Sequence, residues 1–147
     1  MKEIKFRGKR IDNGEWAYGA YFCLHHNDER QHIHHFIIPD NTQIPKEKPI
    51  GEIQVEVDPA TVGQYTEYLK DVNKKCFCEG DIVCMADYPR QIPYLYEVIL
   101  ADDGFMLCSL KTYEDGKYAR RISQFTENLI IIGNRWDNPD LMKQASC

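Results

Sequence analysis

The tightest constraint on how this 147-residue chain folds lies in its second half, where turn-forming clusters follow one another at short intervals. Ala101-Asp102-Asp103-Gly104, Glu114-Asp115-Gly116-Lys117 and Glu127-Asn128 are rich in the residues that tolerate tight turns. They separate apolar segments at Asp81 to Met85, Tyr94 to Ala101, Phe105 to Lys111, Tyr118 to Phe125 and Leu129 to Ile132. Such spacing predicts a β-meander, and five short strands joined by tight turns suggest a small barrel. Asn138 followed by Pro139 predicts a short helix through Met142.

The first half is also predicted to be mostly β. Segments Ile4 to Ile11 and Trp16 to Leu24 flank Asp12-Asn13-Gly14-Glu15, and Asn-Gly suits the two positive-φ positions of a type I′ hairpin. With Asn13-Gly14 as the turn, Lys5, Arg7 and Lys9 face Phe22, Ala20 and Tyr18, and Trp16 faces Ile11. His34 to Ile38 reads as a third strand, Asn41 to Gly51 as an exposed loop, and Ile53, Val55 and Val57 alternate as in a strand. Asp58-Pro59 is a helix start, which predicts one or two helical turns from Ala60 to Tyr68. Gly63 and the β-branched Thr61, Val62 and Thr66 argue against them. The domain reading is an N-terminal hairpin-based region over 1–57, a connecting segment over 58–78 and a barrel over 79–147, forming one compact unit.

Four motifs stand in order along the chain: Lys5-Phe6-Arg7-Gly8-Lys9; Val57-Asp58-Pro59-Ala60-Thr61-Val62-Gly63-Gln64-Tyr65-Thr66; Glu79-Gly80-Asp81-Ile82-Val83; and Ile132-Gly133-Asn134 with Asp137-Asn138-Pro139-Asp140. Taken together, nearly end to end, they resemble the YopX family of small proteins of bacteriophages and prophages. The resemblance implies an SH3-like barrel and no particular activity. The fold class expected is therefore mostly β, with an N-terminal hairpin sheet, a C-terminal SH3-like barrel and short helices.

Composition narrows the function classes. A hydrophobic fraction of 43% is that of a globular protein, and no apolar run approaches the roughly 18 residues of a membrane span. Arg7, Lys9, Arg10 and Asp12 stand where a signal peptide needs its apolar core. A reducing bacterial cytoplasm is the expected compartment, with Cys23, Cys76, Cys78, Cys84, Cys108 and Cys147 as free thiols. A net charge of −5 disfavours broad nucleic-acid binding unless cations gather on one face.

They do gather at the hairpin. Lys5, Arg7, Lys9, Trp16 and Tyr18 are the candidate binding residues, a mixture of cations and rings that single-stranded nucleic acid also uses. The plainer reading is a solvated sheet face on which cation stems pack over rings. His25, His26, His32, His34 and His35 fall close together, but no carboxylate or thiolate completes a metal-site spacing. Cys76, Cys78 and Cys84 supply three thiols where structural zinc takes four ligands, and they read as apolar fillers. Gly80-Asp81-Ile82-Val83 also occurs in PemK-like ribonuclease toxins, which would give Arg90 a catalytic role; the plainer reading is a turn in which Asp81 caps local N–H groups. The function expected is a non-enzymatic module that binds a phage or host protein, with no cofactor, no metal and no membrane. The alternatives are a PemK-type ribonuclease or a weak single-strand binder, and homo-oligomerisation stays open.

Overall fold

The computed structural model describes residues 4–25, 32–40, 53–87, 95–110 and 120–144. The chain divides into two compact units, Met1–Gln64 and Tyr65–Cys147. Its strands form two open antiparallel sheets, one of six strands and one of five.

In the first unit, β1 (Lys5–Lys9), β2 (Trp16–His25), β3 (Ile33–Pro39) and β4 (Val55–Glu56) follow one another across the sheet in the order β4-β3-β2-β1. The β1–β2 hairpin is not the two-residue turn predicted. Arg7 pairs with Tyr18 and Lys9 with Trp16, a register two residues from that expected. Arg10 N–H donates to Glu15 O at 2.9 Å and Gly14 N–H to Arg10 O at 2.9 Å, so the loop is four residues long. Gly14 has φ +71 and Asn13 does not share that sign. The Asn13 side chain accepts from Glu15 N–H at 2.9 Å, and Arg10 grips Asp12 through two bonds of 2.9 and 2.6 Å. These local bonds favour the wider loop over a type I′ turn. Because the slip is two residues, every side chain keeps its predicted face.

One face of this sheet is closed. Ala17, Ile37 and Val57 are buried, with Tyr21, Val55 and Val62 packed against them. Gly8 belongs to this face because a side chain there would press on Val57 and Val62.

The helix predicted after Asp58 shrinks to one 3-10 turn, Pro59–Thr61, in which the Asp58 carboxylate accepts from Ala60 N–H at 3.0 Å. The chain then runs extended as β5 (Gly63–Lys70), as its β-branched residues favour. In the second unit, β5 pairs with β6 (Cys76–Cys78), Tyr65 opposite Cys78 and Lys70 opposite Cys76.

The five-stranded sheet consists of β7 (Asp81–Met85), β8 (Leu95–Ala101), β9 (Gly104–Ser109), β10 (Arg120–Arg121) and β11 (Leu129–Asn134). Its order is β10-β9-β8-β7-β11. The predicted meander is there, but the predicted SH3-like barrel is not: among the described residues β10 and β11 are opposite edges, and no pairing closes the sheet. Two features explain the difference. Among the described residues, the predicted strand from Tyr118 to Phe125 is extended at Arg120–Arg121 and then coils through 3-10 turns at Ile122–Gln124 and Thr126–Asn128. The sheet also buries both faces. Phe77, Val83, Val98, Leu107, Ile122 and Leu129 fill one side, while Ile82, Cys84, Leu95 and Leu110 fill the other. The second side is completed by Ile130, Ile132 and, from helix α1 (Pro139–Gln144), Leu141 and Met142. A small barrel buries one inward face, whereas a sheet covered on both sides has no need to curl.

Candidate binding face

The other face of the N-terminal sheet carries the predicted residues. Tyr18 stands opposite Arg7 and Trp16 opposite Lys9, and side chains opposite each other in an antiparallel pair share a face. The Arg7 guanidinium lies 4.6 Å from the centre of a Trp16 ring and the Lys9 ammonium 5.4 Å. Arg7 is only 6% exposed, so its contact with the indole is largely dry, the setting in which cation–π attraction is strongest. Lys5 pairs with Asp40 at 3.4 Å. Asp40 is held in place by its own N–H, which donates to Tyr18 O at 2.7 Å. The Lys9 N–H donates to Thr61 Oγ1 at 2.8 Å, tying the β1 end of the face to the 3-10 turn.

Beyond these five residues and the Ala20 and Phe22 that the sequence reading also placed here, the face goes on to Leu24 and across β3, which that reading missed. The alternation of β2 puts Trp16, Tyr18, Ala20, Phe22 and Leu24 on the same side. Registered against them on β3 are Ile38 opposite Ala20, Phe36 opposite Phe22 and His34 opposite Leu24. Phe22 and Phe36 stack at 5.4 Å, and His34 stacks on Phe36 at 6.2 Å. Tyr18 is 44% and Leu24 50% exposed. An outward strand side is ordinarily polar; here it is an apolar and aromatic wall. The signal was the period-two run of Trp16, Tyr18, Phe22 and Leu24.

The histidines do not converge. His34 points to the outer face and bonds Glu56 Oε1 through Nδ1 at 2.9 Å, while His35 lies on the opposite side and shares a hydrogen bond with the Tyr21 hydroxyl. Burial pushes the Tyr21 phenol above its ordinary pKa. His25 pairs with Ile33, away from the His34 side, and His26 lies outside the described residues. Cys23, Cys76, Cys78, Cys84 and Cys108 are free thiols. Among the described residues no group of three or more histidines, thiols or carboxylates is placed to hold a metal. Arg90 lies outside the described residues. Asp81, 3% exposed, accepts the Cys78 N–H at 2.8 Å, a turn cap.

The four sequence motifs are largely consumed by structure. Gly80, at φ +85, leaves room for the Trp136 ring, which a side chain there would overlap. Gly133 does the same for Asn138, whose Oδ1 accepts the Asn134 N–H at 3.1 Å. Asn134 Oδ1 in turn accepts the N–H groups of Trp136 and Asp137 at 3.0 and 2.9 Å. A family model described as YopX protein matches residues 5–143. The chain belongs to the YopX family. This YopX-family chain is also similar to a solved structure, the crystal structure of protein EF1440 from Enterococcus faecalis, with 24% identity and a TM-score of 0.52. The likeness covers 97% of this chain and 99% of that one, and it bears on fold alone. No curated protein matches the chain. Among the described residues no helix is long and apolar enough to cross a membrane.

Proposed function

We propose that this YopX-family protein is a non-enzymatic phage or prophage module that binds a protein through the outer face of β1, β2 and β3. The observation that carries this reading is the wall of Trp16, Tyr18, Phe22, Leu24 and Phe36, in which Tyr18 and Leu24 are openly exposed. Contiguous apolar surface rimmed by charge is a mark of interaction sites, and aromatic residues are enriched in the cores of protein interfaces. A protein partner fits better than a nucleic acid because the cations on this face already have local work. Arg7 is buried against Trp16, and Lys5 is paired with Asp40.

The test places a photo-crosslinking amino acid at Tyr18 in cells carrying the prophage or infected by the phage. A discrete protein adduct, lost when Leu24→Glu is added, is the expected result. Failure to form any protein adduct, or cross-linking to nucleic acid alone, would overturn the proposal.

A further inference from the structure

The C-terminal unit contains a cavity of its own. The loop between β5 and β6 and the turn before β11 border a cavity of about 300 Å³ lined by Lys70, Asp71, Val72, Lys74, Thr126 and Glu127. That volume is at the lower end for ligand pockets and suits a small molecule.

Its floor is firmly built. Asp71 is 2% exposed, and its carboxylate accepts the N–H groups of Asn73 and Lys75, each at 2.9 Å, and of Ile131 at 3.0 Å. Val72 N–H donates to Leu129 O at 3.0 Å, so the loop is sewn to β11 from two positions. Lys74 is held at φ +65, its N–H donating to Asp71 O at 3.0 Å. A non-glycine residue stays in that region only where its surroundings over-determine it, and such residues cluster at ligand sites.

The lining has a definite chemistry. Lys70 and Lys74 both line this one cavity, in a chain of net charge −5. Among the described residues neither makes an ion pair, and the Thr126 hydroxyl makes no hydrogen bond. The negative charge of Asp71 is already spent on three N–H dipoles, which leaves Glu127, exposed in its turn, as the one opposing charge with no such compensation. Two point-charge donors and a hydroxyl match an anion with several oxygens on one centre.

We infer that this cavity binds a phosphate-type oxyanion, held by Lys70, Lys74 and the Thr126 hydroxyl and weakened by Glu127. The anion is either free phosphate or the phosphoryl group of a small monoester, and both present the same oxygens.

The experiment is an amide NMR titration of the full chain with inorganic phosphate and, separately, with O-phosphoserine. Saturable shifts centred on Val72, Lys74 and Thr126 are expected with at least one of them. Tighter binding of phosphoserine would identify a monoester, and equal binding the free anion. Lys70→Gln and Lys74→Gln should each weaken binding about tenfold, as loss of a charge-assisted hydrogen bond does. Glu127→Gln should strengthen it. These positions are exposed, so the fold is kept in every variant. Shifts that fail to saturate, that spread over lysines elsewhere, or that persist unchanged in the lysine variants would overturn the inference.

Discussion

Replacing Asp71 tests whether one buried carboxylate organises the loop between β5 and β6. In Asp71→Ala three backbone N–H groups lose their acceptor together. Asn73 and Lys75 are exposed, so water recovers part of those two bonds and each loss costs about 1 kcal/mol. Ile131 is half-buried within β11, and leaving its N–H unsatisfied costs about 2 kcal/mol, for a total of about 4 kcal/mol. Asp71→Asn is gentler. Its remaining oxygen keeps the bonds to Asn73 and Lys75 in a weaker, neutral form, while its amide group meets the Ile131 N–H donor to donor, at a cost of about 2–3 kcal/mol. Urea unfolding measures both: the midpoint should fall with the slope unchanged, and further for alanine than for asparagine. If both variants lose less than about 1 kcal/mol, or alanine is no worse than asparagine, the carboxylate is not the organiser described.

Gly80→Ala should cost about 3 kcal/mol, because it forces a side chain both into a left-handed conformation and into the Trp136 ring; thermal unfolding reads this, and an unchanged midpoint would refute it. Burial, and after it the nearby Glu97 charge, pushes the Cys108 thiol above its ordinary pKa. Since the thiolate is the reactive form, alkylation at pH 8 followed by mass spectrometry should find exposed Cys23 modified well before Cys108. Cys108 should then catch up as pH rises further, and equal rates at pH 8 would count against that ordering.

The sequence was most readable where period and turn chemistry act locally. Asp81 to Met85 was located to the residue, and the strand ends at Ala101 and the helix start at Pro139 were placed by the turn residues beside them. Closure was not readable, because it depends on whether both sheet faces are covered. Ile82-Val83-Cys84 and Leu129 to Ile132 are continuous apolar runs, a pattern that marks strands buried on two sides. The expectation of a barrel came from five short strands joined by tight turns, with the family resemblance in agreement, and gave that pattern no weight. The hairpin face was legible in its parity but not in its register, since Asn13 bonded Glu15 instead of entering a type I′ turn. The cavity beside Asp71 was invisible to sequence reasoning: Ile131, whose N–H anchors the Asp71 carboxylate, is 60 residues away along the chain.

The two-sided burial of the five-stranded sheet carries a biosynthetic cost. Leu141 and Met142 of α1 help cover the side formed by Ile82, Cys84, Leu95 and Leu110, yet they are translated long after β7 and β8. At about 5–20 residues per second, several seconds of synthesis separate the two. Throughout that interval the nascent chain presents an open apolar surface on strands prone to pair with any neighbour. Rare codons between residues 110 and 139 would lengthen the exposure, so the translation schedule of this stretch bears directly on how much of the product escapes aggregation.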